Sequence, residues 1–151
     1  MTYRFTQKLR KHQCPIRYCY LLTNPRKQLT NTLQIVKSTS SKNYSKDLGV
    51  CAVQLMNNHT IEIKNLAILS LYRNLGIGRW CLQQIEAKYK GKDILVGTGD
   101  SSLNALRFYE NNGFTKFDIR KNFYLKNYQH PIIENGIQLK DQIVLRKSAN
   151  S

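Results

Sequence analysis

The chain has 151 residues, of which 41% are apolar and 10% aromatic. That length fits one domain spanning residues 1–151 with a single core, and that composition excludes an intrinsically disordered chain. The formal net charge is +15. The lysines and arginines are dispersed, with no block of five or six, and this dispersal disfavours nucleic-acid binding as the main function.

No apolar run approaches the roughly 20 residues that a membrane helix needs. The first 14 residues are basic and lack the apolar segment of a secretory signal. We therefore expect a cytoplasmic protein without a membrane partner. The cysteines and histidines match no ligand spacing, so no metal site is expected. Two cysteines fall within apolar patterns and are predicted core residues, namely Cys51 and Cys81.

The first third of the chain mixes helix and strand signals. Residues 3–11 alternate like a strand, and residues 14–22 are apolar with an early proline, which suits a first helical turn. A second helix is predicted from Pro25 to about Gln34, with a strand opening at Leu33 as the alternative. Residues 38–46 are polar and are predicted to form a hairpin connection.

The middle of the chain predicts a hairpin that leads into a helix. Residues 48–56 read as a buried strand, and residues 60–69 return antiparallel after a turn at Asn57 and Asn58. The helix then runs from Ile77 to about Lys90, because apolar residues recur there at the spacing of one helix face. Gly91 is the predicted left-handed end of this helix.

The last third alternates strands with one helix. Residues 93–98 read as a strand buried on both faces, and residues 102–112 as a helix that stops at Gly113. Residues 114–119 and 142–146 are the last predicted strands. They are joined by the connection Lys121–Asp141.

A glycine turn, Arg73-Asn74-Leu75-Gly76-Ile77-Gly78, separates the central strand from its helix. Backbone N–H groups converge at such a turn, and the helix start carries a partial positive charge, so the turn suits a phosphate. The alternative is that two glycines merely allow a tight turn. The spacing is neither a Rossmann fingerprint nor a Walker A loop.

A second informative stretch lies within the last helix. Ala105 and Tyr109 are one turn apart on one face, and Gly113-Phe114 follows. By itself, this pattern also fits a tyrosine that packs on the core.

Together, Arg73-x-x-Gly76-x-Gly78 and the A-x-x-x-Y-x-x-x-G-F pattern starting at Ala105 resemble the two hallmarks of the GNAT family of N-acetyltransferases. The residues before the second hallmark and the segment Glu134–Ile137 resemble a bacterial small-domain subgroup. The resemblance implies an α/β fold in one domain, with a twisted mixed sheet of six to seven strands flanked by about four helices.

The resemblance also implies residue roles. Tyr109 would protonate the departing CoA thiolate, and Glu62 would act, directly or through water, as base for the acceptor amine. Ser102 stands where many members have an asparagine, and Asn104 is the nearest asparagine. Arg73 would touch phosphate or brace the turn. The implied acetyl-CoA contacts are Leu66, Ala67, Ile68, Arg73, Asn74, Leu75, Gly76, Ile77, Gly78, Arg79, Ser102 and Asn104.

The implied function is transfer of an acetyl group from acetyl-CoA, as co-substrate, to a primary amine of a small molecule or peptide. The alternatives are a non-catalytic acyl-CoA-binding or sensor domain and, less favoured, a basic nucleic-acid-binding module. Homodimerisation is left open. The connection Lys121–Asp141 would recognise the amine or simply cover a sheet edge; its candidate residues are Tyr124, Tyr128, Glu134 and Asp141.

Overall fold

A computed structural model describes residues 19–23, 31–41 and 44–149, with side chains described from Asp47 onward. The predicted first strand, residues 3–11, lies outside the described residues. The chain divides into two compact units, residues 1–90 and 91–151. Among the described residues, no helix is long and apolar enough to cross a membrane.

The N-terminal unit contains an antiparallel run of four strands in chain order, each paired with the next. A short 3₁₀ turn, Ser70–Tyr72, follows the last strand and leads to helix α1. The elements are β1 (Cys19–Thr23), β2 (Asn31–Ser41), β3 (Tyr44–Asn57), β4 (Thr60–Ile68) and α1 (Ile77–Lys88).

The two helices predicted between residues 14 and 34 are wrong where the structure describes them. Residues 19–23 form β1, and the alternative of a strand near Leu33 is confirmed, since β2 begins at Asn31. The register pairs Cys19 with Ser38 and Thr23 with Gln34. Pairing between distant segments overrides the local helix signal, because strand preference depends on cross-strand neighbours more than on intrinsic propensity.

The hairpin of β3 and β4 confirms the prediction for the middle of the chain. Its turn is held by the Asn57 side chain, whose Oδ1 accepts a hydrogen bond from the His59 amide at 2.8 Å. The register shifts between Ala52 and Val53, where β4 contributes one extra residue. Such a bulge bends the strand and changes which side chains share a face.

Helix α1 is held by an apolar core within the N-terminal unit. Leu48 of β3 packs with Ile77, Trp80 and Cys81 of the helix, all at most 3% exposed. Partly buried residues of β4 and the turn complete the cluster: Leu66, Ile68, Tyr72 and Leu75. The predicted burial of Cys51 and Cys81 is confirmed, since both are 0% exposed.

Burial raises the pKa of the Cys51 thiol to about 12, although the nearby charge of Lys88 acts in the opposite direction. We expect iodoacetamide to leave Cys51 unmodified in the native protein at pH 8, because the thiolate is the reactive form. In unfolded chains this thiol ionises near pH 9.0. Between pH 9 and 12 it should therefore subtract up to roughly 1.4 kcal/mol of stability per pH unit.

Urea unfolding of the wild type and of Cys51→Ala across that pH range measures this contribution. The variant should be less stable at neutral pH because of its cavity. Its stability should nevertheless decline less steeply above pH 9. Parallel pH profiles for the two proteins would contradict the assignment.

The described part of the C-terminal unit contains a separate two-stranded hairpin and three strands that pair side by side; the last of these three lies between the other two and is antiparallel to both. Its predicted helix and strands are confirmed, and the long connection contains a short helix and a hairpin. The elements are β5 (Asp93–Gly99), α2 (Leu103–Glu110), β6 (Thr115–Arg120), α3 (Phe123–Asn127), β7 (Ile133–Glu134), β8 (Ile137–Gln138) and β9 (Gln142–Lys147).

Candidate functional site

The turn between β4 and α1 has the backbone that its glycines predict. Asn74 and Gly76 both have positive φ, at 60° and 79°. Gly76 is the residue before α1, and its carbonyl accepts the Trp80 amide at 3.0 Å. The first turn of α1 contains no acidic residue, and no side chain caps it. This geometry presents backbone N–H groups and a positive helix end.

The Arg73 side chain braces this turn. Its Nε donates a hydrogen bond to the Ile68 carbonyl at 3.1 Å, which ties the turn back to the end of β4. The Arg73 amide also donates to the Ser70 carbonyl at 3.3 Å. Of the two roles open to Arg73, these contacts are the ones expected for bracing.

The end of β4 runs close against β3. Leu66, Ala67 and Ile68 pair with Cys51, Val50 and Gly49. A Cβ at Gly49 would lie 2.2 Å from the Ala67 carbonyl oxygen. Glycine is therefore required for β3 to approach the backbone segment that carries the predicted pantetheine contacts.

Glu62 lies before the bulge of β4 and is buried, with 2% of its surface exposed. Its Oε1 is 3.2 Å from the Lys64 ammonium, whose side chain is 43% exposed. Ile61 and Ile63 on either side of Glu62 are buried as well. The solvent-facing orientation that the sequence left open for Glu62 is therefore not the one observed.

In the C-terminal unit, Tyr109 is 7% exposed and packs edge-on between two phenylalanines. Ring centroids lie 5.1 Å from Phe108 and 5.4 Å from Phe114. Gly113, with φ of 87°, ends α2, and the Phe114 amide donates to the Tyr109 carbonyl at 3.1 Å. The glycine and phenylalanine of the second hallmark thus fix the aromatic ring of its tyrosine.

Ser102 and Asn104 begin α2 in different environments. Ser102 is 5% exposed, whereas Asn104 is exposed. The Ser102 hydroxyl does not cap the helix and donates instead to Oε2 of Glu134. Sequence reasoning treated Ser102 and Glu134 separately, because they are 32 positions apart and no local pattern signals their contact.

The connection Lys121–Asp141 is folded back on the unit by two aspartates. Asp141 accepts hydrogen bonds from the Asn122 amide and the Lys121 ammonium, both at 2.8 Å. These two hydrogen bonds, the one from Lys121 first, lower the pKa of the Asp141 carboxyl. Asp100 accepts the Asp141 amide at 3.2 Å. The Asp141 carboxylate therefore holds the connection in place, and Asp141 is a weaker candidate for amine recognition.

Tyr124 of α3 and Tyr128, the residue just after this helix, stack against each other. The rings of Tyr124 and Tyr128 lie 5.7 Å apart at 24°. Burial raises the pKa of the Tyr124 hydroxyl, opposed by a hydrogen bond with Gln142. Gln142 is a residue that sequence reasoning missed, and its side chain also accepts from Arg120 at 2.8 Å. Among the described residues, no group of three or more His, Cys, Asp or Glu could hold a metal ion.

Comparisons with known proteins find acetyltransferases. A family profile described as "Acetyltransferase (GNAT) domain" matches residues 39–116. The uncharacterized N-acetyltransferase YvbK of Bacillus subtilis is 37% identical over 100 residues, which are 64% of this chain and 64% of YvbK. The chain thus matches less than two thirds of the length of this relative.

Solved structures agree with the profile. A GNAT family acetyltransferase from Elizabethkingia anophelis with acetyl-CoA bound has a TM-score of 0.70 and 34% identity, over 79% of this chain and 76% of that one. A Bacillus subtilis acetyltransferase in complex with CoA has a TM-score of 0.68 and 26% identity, over 83% and 86%. The mixed α/β fold is the one that the two sequence hallmarks predicted. The chain belongs to the GNAT family of acetyltransferases.

Proposed function

We propose that this protein is an acetyl-CoA-dependent N-acetyltransferase that acts on the primary amine of a small molecule or peptide. The observation that carries the proposal is the turn at Gly76, which opens α1 with no side-chain cap and no acidic residue in the first turn. Such a helix start favours a pyrophosphate. The solved relatives with acetyl-CoA or CoA bound support the same ligand.

The proposed contacts follow from the backbone. N–H and C=O groups of Leu66, Ala67 and Ile68 that do not point to β3 point to the other edge of β4, where they would bind the pantetheine amides. The pyrophosphate would sit on the amides of residues 73–79. Arg73 would act indirectly, by holding the turn against Ile68. Ser102 and Asn104 would add contacts from the start of α2.

Acetyl-CoA supplies an acetyl group activated as a thioester. The neutral amine nitrogen bonds to the acetyl carbon, and the carbon–sulfur bond then breaks. Tyr109 would donate its hydroxyl proton to the departing thiolate, and the proton lost by the amine would pass to Glu62. Glu62 is 2% exposed and paired with Lys64, so a water molecule would relay that proton. Holding the two substrates together supplies much of the rate.

A second candidate function is an acyl-CoA-binding domain without turnover. The observation that favours it is the packing of Tyr109, which is buried between Phe108 and Phe114 as a core residue would be. Binding requires only the turn and the end of β4. The Tyr109→Phe variant, argued in the Discussion, separates the two functions.

The first experiment is thermal unfolding with and without acetyl-CoA, with ATP as a polyanion control. A specific ligand at about 100 times its dissociation constant stabilises a protein by roughly 2.7 kcal/mol. We expect a clear rise of the melting temperature with acetyl-CoA and a much smaller one with ATP. Equal rises would indicate general attraction to the basic surface, and the absence of any rise would contradict the proposal.

Two charge-reversal variants in the N-terminal unit sharpen this experiment. Arg79→Glu places an acid in the first turn of α1, where it favours the helix but repels a pyrophosphate. Lys90→Glu makes the same change of charge beyond the end of that helix. We expect the shift with acetyl-CoA to shrink for Arg79→Glu and to persist for Lys90→Glu. Equal losses would place the ligand elsewhere.

A further inference from the structure

The start of α2 departs from ordinary helix capping. A serine before a helix normally accepts a hydrogen bond from an amide of the first turn. Here Ser102 occupies that position, yet its hydroxyl makes no cap bond and donates to Glu134. Because Ser102 is 5% exposed, little water competes for this hydroxyl. The orientation of the hydroxyl is therefore set by the Glu134 carboxylate.

The backbone around Glu134 is held in place by a tight hairpin. Asn135 and Gly136 have φ of 53° and 75°, the positive values of a two-residue type I′ turn. Glu134 pairs with Ile137 across this turn. The hairpin continues to Leu139, whose amide donates to the Ile132 carbonyl at 2.9 Å. Glu134 thus lies at the start of a regular hairpin turn.

The packing beside Ser102 is tight on the side of Gly99. A Cβ at Gly99 would lie 2.6 Å from the Ser102 oxygen and 2.7 Å from the buried Leu139 side chain. Leu139 is 4% exposed and anchors the hairpin beside the start of α2. Gly99, Ser102 and Leu139 therefore pack closely together, and Glu134 is the partner of the hydroxyl.

The direction of this hydrogen bond decides what Ser102 offers to a ligand. A hydroxyl has one proton and two lone pairs, and a carboxylate only accepts. Because the Ser102 hydroxyl donates its hydrogen bond to Glu134, the Ser102 oxygen can interact with other groups only as an acceptor. An amide N–H is the complementary donor, and pantetheine contains two of them.

We propose that Glu134 is a positioning residue of the acetyl-CoA site: its carboxylate accepts a hydrogen bond from the Ser102 hydroxyl, so that the Ser102 oxygen is left to accept a hydrogen bond from an amide N–H of the pantetheine arm. This inference rests on the proposed function, because it assigns the Ser102 contact to acetyl-CoA. It gives the Glu134–Ile137 hairpin a role in cofactor affinity and not in the choice of amine.

The test measures the dissociation constant of acetyl-CoA by calorimetry. Glu134→Ala should raise the dissociation constant of acetyl-CoA by up to roughly tenfold, the loss expected for one hydrogen bond between neutral groups. Ser102→Ala should have a similar effect, and the double variant should lose little more.

Electrostatics alone predict the opposite sign. Removing a carboxylate makes the protein more positive and should strengthen binding of anionic CoA. Glu110→Gln is the matched control, since Glu110 is an acidic residue at the other end of α2 with a long 3.8 Å contact to Lys116. This control should bind acetyl-CoA as tightly as wild type or slightly more tightly.

Rescue separates positioning from a merely structural role. An asparagine side chain carries an acceptor oxygen that needs no carboxylate partner. Ser102→Asn combined with Glu134→Ala should therefore restore acetyl-CoA affinity to within about threefold of wild type. If Glu134 served only to anchor the hairpin, that combined variant would not regain affinity. Additive losses in the double variant, unchanged binding in both single variants, or a failed rescue would each overturn the inference. Failure of the wild type to bind acetyl-CoA would instead overturn the proposed function.

Discussion

Replacing Tyr109 with phenylalanine should lower kcat for acetyl transfer by about 100-fold or more, the usual contribution of a positioned proton donor. The variant keeps the ring, so its edge-on contacts with Phe108 and Phe114 remain. The free energy of unfolding should therefore change by no more than about 1.5 kcal/mol, the value of one hydrogen bond. Acetyl-CoA affinity should stay near wild type, because the proposed contacts of the cofactor lie elsewhere.

The measurement is single-turnover acetyl transfer together with calorimetric binding of acetyl-CoA. Tyr89→Phe is the matched control, since it removes a tyrosine hydroxyl from a half-buried residue just beyond α1. Turnover should survive in that control. Full turnover in Tyr109→Phe would show that the hydroxyl takes no part in the mechanism. If the wild-type protein binds acetyl-CoA but transfers no acetyl group, the acyl-CoA-binding alternative is favoured.

Replacing Gly49 with alanine should lower the free energy of unfolding by about 2–3 kcal/mol, the cost of overpacking a tight site. The added Cβ would lie 2.2 Å from the Ala67 oxygen and 3.0 Å from the Ile68 Cα. These are backbone atoms, which cannot rotate away as a flexible side chain can. Relief requires β3 and β4 to separate at Ala67 and Ile68, so acetyl-CoA affinity should fall as well.

Urea unfolding and calorimetric titration of Gly49→Ala test both effects. Gly91→Ala is the control, because a Cβ there meets nothing within 4 Å and only the positive φ of 81° is unfavourable. It should cost about 1–2 kcal/mol and leave the ligand affinity intact. Wild-type stability of Gly49→Ala would contradict the close approach of the two strands.

Local patterns predicted most of the elements from β3 onward. The β3–β4 hairpin and α1 were recognisable because alternation and helical spacing are properties of neighbouring residues. The left-handed conformation of Gly91 and Gly113 followed from a glycine at the end of a predicted helix, because glycine adopts positive φ at little steric cost. The glycine-containing stretches 73–78 and 105–114 carried the family resemblance.

Other features depend on partners far away in the sequence. Residues 19–23 and 31–41 are strands because they pair with each other, although an early proline and helical spacing favoured helices. The burial of Glu62 depends on strand register, which sequence leaves open.

By itself, the sequence determined the family, the glycine turn, the placement of Tyr109 in α2 and most elements after residue 44. Each of these follows from residues that are close together along the chain. Only the tertiary structure decided that Glu62 is buried beside Lys64 and that the Ser102 hydroxyl is directed at Glu134. The burial of Glu62 depends on strand register, and the Ser102–Glu134 hydrogen bond joins residues 32 positions apart. The physical reason is that a hydrogen bond or an ion pair acts over a few ångströms in space, and only the folded backbone sets which distant groups come that close.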